Sequence, residues 1–290
     1  MKIIYIAGDG RSGSTILDSI LSNADGTLSV GECYRFWKRF YEADTLCGCG
    51  DPIETCTLWH QVDLVLKRDI PGYDPKEMWQ KITYLLKFKQ IPQIEEILSE
   101  PGWQTFKNAV ILFYQTIVEH SGKSVLIDSS KSPGWLNVIR ALKFCDLRII
   151  HLERSLPAVA NSWKKQVALP EYYDKEVMMP IKSNGLIVKT WLKIKLLLRR
   201  LRNEDNYLFL RYSDFIAHPK EKLEAIVAFS AISLSANEYY VKPNHSIGGN
   251  PMRTNTRSIA IYTSESSPKN LSLLERFCFS VIDKISRLFL

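Results

Sequence analysis

The chain of 290 residues carries 38 Lys and Arg against 31 Asp and Glu, a formal net charge of +7. Hydrophobic residues make up 46% and charged residues 24%, ordinary globular values that exclude a disordered or fibrous chain. The length suits one large α/β domain. The modest positive charge favours an anionic partner, which could be nucleic acid, an acidic membrane or a phosphorylated small molecule.

Short apolar runs alternate with longer helical patterns along the chain. Continuously apolar strands are predicted at 2–7, 27–30, 124–128, 147–152 and 206–211. Such runs are typical of parallel strands that are covered on both faces. Helices are predicted at 14–23, 133–144, 157–166 and 218–230. The alternation predicts an α/β fold with a parallel sheet flanked by helices.

Two stretches depart from the simple repeat. Residues 57–121 and 166–205 are both predicted to be mostly helical insertions that form lids on a single domain spanning 1–290. Residues 271–290 are predicted to form an amphipathic helix that docks on the core. We find no signal-peptide pattern and no apolar run of the roughly 20 residues that a membrane span needs. We therefore expect a cytoplasmic protein with mostly reduced cysteines.

The most informative segment is Gly8-Asp9-Gly10-Arg11-Ser12-Gly13-Ser14-Thr15, which follows the first strand and opens the first helix. Backbone N–H groups and the helix dipole make such a turn a cradle for an anion. We therefore predict a phosphate or sulfate site whose residues are Arg11, Ser12, Gly13, Ser14 and Thr15.

Two nucleotide-binding motifs overlap on this turn. Gly8, Gly10 and Gly13 satisfy G-x-G-x-x-G, and Glu32 lies where a ribose-binding acid is expected. An NAD(P)-binding oxidoreductase is therefore one alternative. A Walker loop fits less well, because Ser14 stands where a lysine would contact the β- and γ-phosphates.

A third interpretation accounts for more of the residues. With a cation at Arg11 and hydroxyls at Ser14 and Thr15, the turn resembles the 5′-phosphosulfate loop of sulfotransferases that use 3′-phosphoadenosine 5′-phosphosulfate (PAPS). The resemblance implies PAPS as donor, adenosine 3′,5′-bisphosphate (PAP) as product, and a reaction that requires no metal. It also implies a fold similar to that of P-loop nucleotide triphosphatases.

A second pair of residues strengthens the resemblance. Arg154 follows the strand predicted at 147–152, and Ser162 lies eight residues later on the next helix. In the sulfotransferase family an Arg and a Ser in this arrangement hold the 3′-phosphate of the donor. A guanidinium fork can bind two phosphate oxygens while a hydroxyl donates to a third.

Two further segments resemble the same family. Asp128-Ser129-Ser130-Lys131-Ser132-Pro133 follows a strand and is similar to a segment of bacterial and Golgi-type sulfotransferases. This similarity implies that Lys131 contacts the bridging or sulfuryl oxygens. Residues 245–253 resemble the late loop that closes over the nucleotide, so further cofactor-binding candidates are Gly249, Asn250 and Arg253.

Glu32 is the candidate general base. Gly31-Glu32 follows the second strand, 21 residues after Arg11. This placement resembles the branch that includes tyrosylprotein sulfotransferases, in which a Gly-Glu dipeptide supplies the base. A carboxylate at the carboxyl end of a parallel strand faces the crevice where open α/β sheets bind ligands. A ribose contact and a salt bridge to Arg35 are the alternative roles of Glu32.

Cys47, Cys49 and Cys56 form a C-x-C-G-x5-C run, with Cys33 upstream and His60 nearby. Three thiols and a fourth ligand suit structural zinc. However, C-x-C is a tight spacing and no second paired motif follows. A local disulfide is another interpretation, and plain reduced thiols are favoured over both, so no metal is assigned.

The stretch 187–202 carries six basic residues and no acid, namely Lys189, Lys193, Lys195, Arg199, Arg200 and Arg202. Such a stretch can bind an acidic membrane or nucleic acid. No nucleic-acid-binding motif accompanies it. We interpret it as the solvated face of a lid helix, with peripheral membrane contact as the alternative.

Together these segments predict a PAPS-dependent sulfotransferase. Arg11 and Lys131 would stabilise the transferring group, and Glu32 would take the proton from an acceptor hydroxyl, or less readily from an amine. The acceptor is predicted to be a small molecule, and no oligomeric state is assigned. An NAD(P)-binding oxidoreductase and a non-catalytic anion- or membrane-binding module are the alternative functions.

Overall fold

The computed structural model describes residues 1–42, 45–169, 172, 177–234, 240–241, 244–248, 257–258 and 269–289. Its main sheet has five parallel strands, in the spatial order β2-β3-β1-β4-β5. The strands are β1 (Lys2–Gly8), β2 (Thr27–Gly31), β3 (Val125–Lys131), β4 (Asp146–Glu153) and β5 (Tyr207–Arg211). All five strands predicted from apolar runs are confirmed.

Helices cover both faces of this sheet, as predicted. They are α1 (Ser14–Leu21), α2 (Phe36–Arg39), α3 (Thr57–Asp69), α4 (Pro75–Leu85), α5 (Ile94–Ser99), α6 (Gln104–Ser121), α7 (Pro133–Leu142), α8 (Leu156–Trp163), α9 (Asn184–Arg199), α10 (Tyr212–Ala217), α11 (Pro219–Ser230) and α12 (Leu273–Phe289). Helices α7 and α11 begin at a proline, where the missing N–H breaks no helical hydrogen bond. A short antiparallel pair, β6 (Tyr240–Val241) and β7 (Arg257–Ser258), lies outside the main sheet.

The central strand β1 explains why the apolar runs are continuous. Ile3 and Tyr5 pack into one hydrophobic cluster, whereas Ile4 and Ile6 pack into a second cluster on the opposite face. All four side chains are fully buried. Because both faces are covered, neither set of alternating positions can be polar.

The cluster on the face that carries α3, α6 and α7 is rich in aromatic residues. Phe36, Trp37, Trp59 and Phe113 are at most 2% exposed. The rings of Trp59 and Phe113 stack with their centroids 5.8 Å apart. The two tryptophans therefore belong to the core, where burial of such large side chains is a major source of folding free energy.

The two predicted insertions differ in their structure. The stretch 57–121 contains the helices α3 to α6. In the stretch 166–205, α9 is helical, but the described residues before Asn184 form no helix and include an antiparallel bridge between Ala168 and Met178. The prediction of a mostly helical second insertion is therefore wrong for that part. Pro180 lacks the N–H that a continuing helix would need.

The basic face of α9 is also smaller than predicted. Lys189, Arg199 and Arg200 are exposed, but Lys195 is 4% exposed. The Lys195 Nζ lies 3.2 Å from Glu153 Oε2, at the end of β4, and donates to Ser286 Oγ. The structure thus corrects the interpretation of this stretch as one solvated face, since Lys195 is a buried ion-pair partner.

Helix α12 docks on α8, as the sequence predicts. Phe279 packs into the cluster that α8 forms with α9, and Asp283 Oδ1 accepts a hydrogen bond from Leu156 N at the start of α8. On its other side, Leu274 and Phe277 are 72% and 67% exposed. No helix in the described part of the chain combines the length and apolar character of a bilayer-spanning segment.

A buried polar network fixes the end of β3. Asp128 is fully buried and accepts hydrogen bonds from Tyr114 Oη at 2.6 Å, Cys33 Sγ at 3.1 Å and Ser130 N at 2.9 Å. Tyr114 Oη in turn accepts a hydrogen bond from Trp135 Nε1 at 2.9 Å. Burial raises the pKa of Asp128. The network therefore links α6, α7 and the strand that carries Lys131.

Replacing the hydroxyl of Tyr114 tests this network. Tyr114→Phe leaves Trp135 Nε1 without its partner and removes one donor from Asp128. We expect the free energy of unfolding, measured by denaturant titration, to fall by about 1–3 kcal/mol. The control Tyr84→Phe alters a partly exposed ring and should change it by less than about 0.5 kcal/mol. Equal effects in the two variants would contradict the role of the network.

Candidate functional site

The three glycines of the turn after β1 are each required by close packing. A Cβ at Gly10 would lie 2.7 Å from the ring of Trp163, and one at Gly13 would lie 2.3 Å from the ring of Tyr212. A Cβ at Gly8 would lie 2.4 Å from a carbonyl oxygen of β4. These glycines therefore do not need a bound pyrophosphate to explain them, which weakens the dinucleotide interpretation.

The start of α1 is suited to an anion. Gly13 is its N-cap residue in a left-handed conformation, with φ 95°, and Ile16 and Leu17 donate to the Gly13 carbonyl. The N–H groups of Ser14 and Thr15 belong to the first turn, where a helix leaves its donors without intrahelical partners. The first turn contains no acidic residue that would occupy the positive end of the helix dipole.

Two buried donors of the turn lack partners among the described residues. They are Arg11 Nε and Ser12 Oγ, and Ser12 is fully buried. The Arg11 guanidinium lies 5.1 Å from the ring centroid of Trp163. Because buried donors without partners are rare in native proteins, an anion held by this turn fits the residues that are present.

Glu32 joins the ends of β2 and β3 through two ion pairs. Its Oε1 accepts from Lys131 Nζ at 2.6 Å, and its Oε2 accepts from Arg35 Nε at 2.5 Å. Glu32 is 7% exposed. The geometry therefore contains the salt bridge to Arg35 that was an alternative role of Glu32, and it adds an ion pair with Lys131 that the sequence did not predict.

These partners set the ionisation of Glu32. Burial by itself would raise the pKa of Glu32, but the charges and hydrogen bonds of Lys131 and Arg35 outweigh it and lower the pKa to about 2. In this arrangement Glu32 is a carboxylate that holds Lys131, and it is a weak proton acceptor.

The two site cations Arg11 and Lys131 adopt a backbone conformation that is uncommon for residues other than glycine. Their φ angles are 71° and 64°. The other non-glycine residues with positive φ in the described chain, Lys143 and Ala231, follow the ends of helices, where this conformation is common. Such strain typically costs of order 1–3 kcal/mol and is concentrated at functional sites.

Arg154 and Ser162 lie where the sequence predicts them. Arg154 directly follows β4, and Ser162 lies on α8. Arg154 Nη1 donates to the Arg11 carbonyl at 3.1 Å, and its guanidinium lies 4.7 Å from the ring centroid of Tyr212. Arg154 is thus held in place by a hydrogen bond to the turn after β1 and by a cation–π contact with Tyr212.

Part of the late loop pairs with the end of β2. Glu32 N donates to Ile247 O at 2.7 Å, and Ile247 N donates to Val30 O at 3.1 Å. A Cβ at Gly31 would lie 2.7 Å from the Ile247 carbonyl oxygen, so this approach requires glycine. Gly249, Asn250 and Arg253 lie outside the described residues, and their roles stay predictions.

A cavity of about 450 Å³ opens at the carboxyl ends of β1, β3 and β4. The order of the strands reverses at β1, and open α/β sheets bind ligands at such a point. The structure brings most of the predicted site residues to this cavity, where they line one wall: Arg11, Gly13, Ser14, Thr15, Glu32, Lys131, Arg154 and Ser162. Ser12 lies beneath the surface and does not line it.

The cavity also contains a functional candidate that the sequence analysis missed. Lys182 lies in the second insertion, and its Nζ is 3.4 Å from the ring centroid of Trp163. Burial lowers the pKa of Lys182. No motif marks this lysine, because it follows no strand and only the folding of the insertion brings it to the turn after β1.

A larger surface depression, of about 790 Å³, lies elsewhere on the molecule. It includes Arg140, Asp146 and Arg148, at the amino end of β4. None of the predicted site residues lines it. Since parallel sheets bind ligands at the carboxyl ends of their strands, the smaller cavity is the candidate site.

The fold and the cavity define an α/β protein with a cavity beside the turn that follows its central strand, and basic side chains are among the residues that line this cavity. A model of the sulfotransferase family matches residues 4–236. The chain therefore belongs to the sulfotransferase family, which confirms the resemblance noted in the sequence and favours it over the oxidoreductase alternative. A sequence search of curated proteins returned no significant match.

Sulfotransferase domains are among the solved structures to which this chain is similar. The sulfotransferase domain of the Synechococcus PCC 7002 olefin synthase is 18% identical, with a TM-score of 0.51 over 97% of this chain and 94% of that domain. The sulfotransferase domain from the curacin biosynthetic pathway is 15% identical, with a TM-score of 0.48 over 89% of this chain and 83% of that domain. The family match and the similarity to the olefin synthase domain support the predicted P-loop-like fold.

The ion pairs of Glu32 make the stability of the fold depend on pH. A carboxyl group whose pKa is lower in the folded chain stabilises the fold above its unfolded pKa of 4.5, and this contribution is lost as pH falls towards about 2. We expect the difference in unfolding free energy between the wild type and Glu32→Gln to shrink by about 3 kcal/mol between pH 6 and pH 2.

Denaturant titrations of both proteins across this range provide the measurement. The control Glu54→Gln alters an exposed carboxylate and should change the free energy of unfolding by less than about 0.5 kcal/mol. A difference between wild type and Glu32→Gln that stays constant with pH would contradict the ion-paired state of Glu32.

Proposed function

We propose that the protein transfers a sulfuryl group from PAPS to a hydroxyl group of a small-molecule acceptor. The observation that carries the proposal is the convergence of Arg11, Lys131 and Arg154 on one cavity beside the start of α1. PAPS has phosphate groups at both ends of its ribose, so its recognition needs two separate groups of donors. Arginine forks and a helix N-terminus are well suited to such groups.

The two ends of the donor correspond to two parts of the site. Arg11, Ser14 and Thr15 would hold the 5′-phosphosulfate, and Arg154 with Ser162 would hold the 3′-phosphate. When bound, PAPS supplies the sulfuryl group and leaves as PAP. The buried Arg11 Nε, for which the described residues offer no hydrogen-bond partner, supports an anion at the first of these positions.

The ion pair between Lys131 and Glu32 would break when the donor binds. Lys131 Nζ would turn from Glu32 to the sulfuryl oxygens and stabilise their charge, while Arg35 keeps the Glu32 carboxylate in place. Loss of the Lys131 contact would raise the pKa of Glu32, because that contact contributes to lowering it. Glu32 would then accept the proton of the acceptor hydroxyl, a role that typically contributes about 10²–10⁴-fold in rate.

The apolar part of the cavity lining supports a small-molecule acceptor. Five apolar residues from the two insertions line the cavity, namely Leu86, Phe88, Ile91, Met179 and Ile194. Such a surface fits an apolar group next to the reacting hydroxyl. A cytoplasmic location and the preference for a hydroxyl over an amine stay predictions from the sequence.

Thermal unfolding with nucleotides tests the donor class. A ligand that binds only the folded chain raises the midpoint of unfolding. We expect PAP to stabilise the protein, and NAD and ATP to have little effect at the same concentration. Stabilisation by NAD alone would support the oxidoreductase alternative, and no stabilisation by any of the three would support a non-catalytic binding module.

Glu32→Gln tests the base. The variant keeps the size of the side chain but removes the proton acceptor, so turnover with labelled PAPS should fall by about 10²–10⁴-fold. PAP binding, measured by calorimetry, should persist, because the variant removes a negative charge from the cavity. Normal turnover in this variant would show that Glu32 is not the base.

Arg154→Ala tests the 3′-phosphate contact. Removing a charge-assisted, forked donor should weaken PAP binding by about 10- to 100-fold, as hydrogen bonds to charged groups contribute about 1.5–3 kcal/mol. The matched control is Arg148→Ala, an arginine of β4 that lies outside the cavity. PAP affinity that is unchanged in Arg154→Ala by calorimetry, or equally reduced in the control, would contradict the assignment.

A further inference from the structure

Four potential metal ligands meet outside the cavity. They are Cys47, Cys49, Cys56 and His245, and their ligand atoms all lie within 4.8 Å of one another. All six cysteines of the chain are free of disulfides. His245 comes from a segment 189 residues after Cys56, so the folded chain alone brings the fourth ligand to the three thiols.

Four of the six distances between the ligand atoms are close to those of a tetrahedral zinc site. Zinc binds thiolate sulfur at about 2.3 Å and imidazole nitrogen at about 2.0–2.1 Å, so tetrahedral ligands lie about 3.8 Å apart for two sulfurs and about 3.6 Å apart for sulfur and nitrogen. Cys56 Sγ lies 3.6 Å from Cys47 Sγ and 3.7 Å from Cys49 Sγ. His245 Nδ1 lies 3.2 Å from Cys56 Sγ and 3.8 Å from Cys47 Sγ.

The backbone around Cys47 and Cys49 is folded to make this approach. Cys47 N donates to Asp51 O at 2.9 Å, and Gly50 N donates to Cys47 O at 3.0 Å. Gly50 has a φ of 100°, a conformation that favours glycine. This tight turn directs both thiols of the C-x-C spacing to one point, so the short spacing that argued against zinc is compatible with it.

The same residues join two distant segments of the chain. Gly48 N donates to Ser246 O at 3.0 Å, and a Cβ at Gly48 would lie 2.5 Å from Ser246 Oγ. Trp59 Nε1, on α3, donates to His245 O at 2.9 Å. The cluster therefore lies where residues 45–56 contact residues 244–248.

We propose that Cys47, Cys49, Cys56 and His245 bind one structural Zn²⁺ ion. Three thiolates and one imidazole form a complete tetrahedral set, which leaves no open position for catalysis. Cys47 and Cys56 are fully buried, and none of the four ligands lines the candidate active site. The proposal does not depend on the sulfuryl donor.

The ion would hold the segment that contacts the candidate base. His245 is two residues before Ile247, whose carbonyl oxygen accepts from Glu32 N and whose N–H donates to Val30 O. By fixing His245 to the three cysteines, the metal would anchor this segment against the end of β2. Loss of the metal would free residues 244–248 from the three cysteines, and Ile247 in this segment is the residue that pairs with the backbone of Glu32.

The interpretation of the cysteines as plain reduced thiols is replaced by this assignment. Cys33 and His60, the other candidate ligands near this run in the sequence, have different contacts. Cys33 Sγ donates to Asp128, and His60 Nδ1 lies 3.1 Å from Glu54 O. The fourth ligand was missed because His245 is distant in sequence and has no paired motif.

Metal analysis of the 290-residue chain tests the proposal. The chain is produced in zinc-containing medium, purified without chelator and examined by elemental analysis and native mass spectrometry. We expect one zinc ion per chain. Cys56→Ser and His245→Ala should lose most of the zinc, whereas the controls Cys145→Ser and Cys278→Ser, which alter thiols outside the cluster, should retain it.

Two further measurements separate ligation from a general effect on folding. His245→Cys should retain zinc, because four cysteines also form a structural zinc site. Removing the metal from the wild-type protein with a chelator should lower the midpoint of thermal unfolding, and added Zn²⁺ should restore it while Mg²⁺ should not.

Several results would overturn the assignment. These are wild-type protein without zinc, iron in its place, a disulfide between two of the three cysteines after purification, or zinc retained in both Cys56→Ser and His245→Ala. Each of these is independent of sulfotransferase activity, so the zinc proposal and the proposed function can fail separately.

Discussion

The order of the five parallel strands is the constraint on which the rest of the structure depends. With β1 between β3 and β4, the segments that follow these three strands meet at one edge of the sheet. Each segment carries one cation of the cavity, namely Arg11, Lys131 and Arg154. Three like charges close together repel one another, so this arrangement requires counter-charge from the protein or from an anionic ligand.

Glu32 supplies part of that counter-charge. It comes from β2, the edge strand next to β3, and its carboxylate binds Lys131 and Arg35. The ion pairs lower the pKa of Glu32 to about 2, so the same contacts that hold Lys131 in place suppress proton acceptance. An anionic donor that draws Lys131 away would relieve this suppression. Charge balance thus couples donor binding to the availability of the base in the proposed mechanism.

The segment 244–248 connects Glu32 to the cluster of Cys47, Cys49 and Cys56. It pairs with the end of β2 through Ile247, and His245 faces the three thiols. Gly31 and Gly48 are both needed where this segment approaches, because a Cβ at either position would lie less than 3 Å from it. A structural zinc ion would therefore act on the site through backbone position, without contacting the donor. The same ion would stabilise the fold and fix the backbone that positions Glu32.

The sequence by itself determined the five strands, the helices between them and eight of the residues that line the cavity. A strand covered on both faces must be continuously apolar. Arg11, Lys131 and Arg154 each lie at or just after the end of such a strand, so the local pattern was sufficient to place them. The sequence did not reveal that Lys195 is buried against Glu153, that Lys182 reaches the cavity, or that His245 joins three cysteines. Only the tertiary structure decided these, because contacts between residues far apart in the chain depend on how the insertions pack and leave no periodic signal in the sequence.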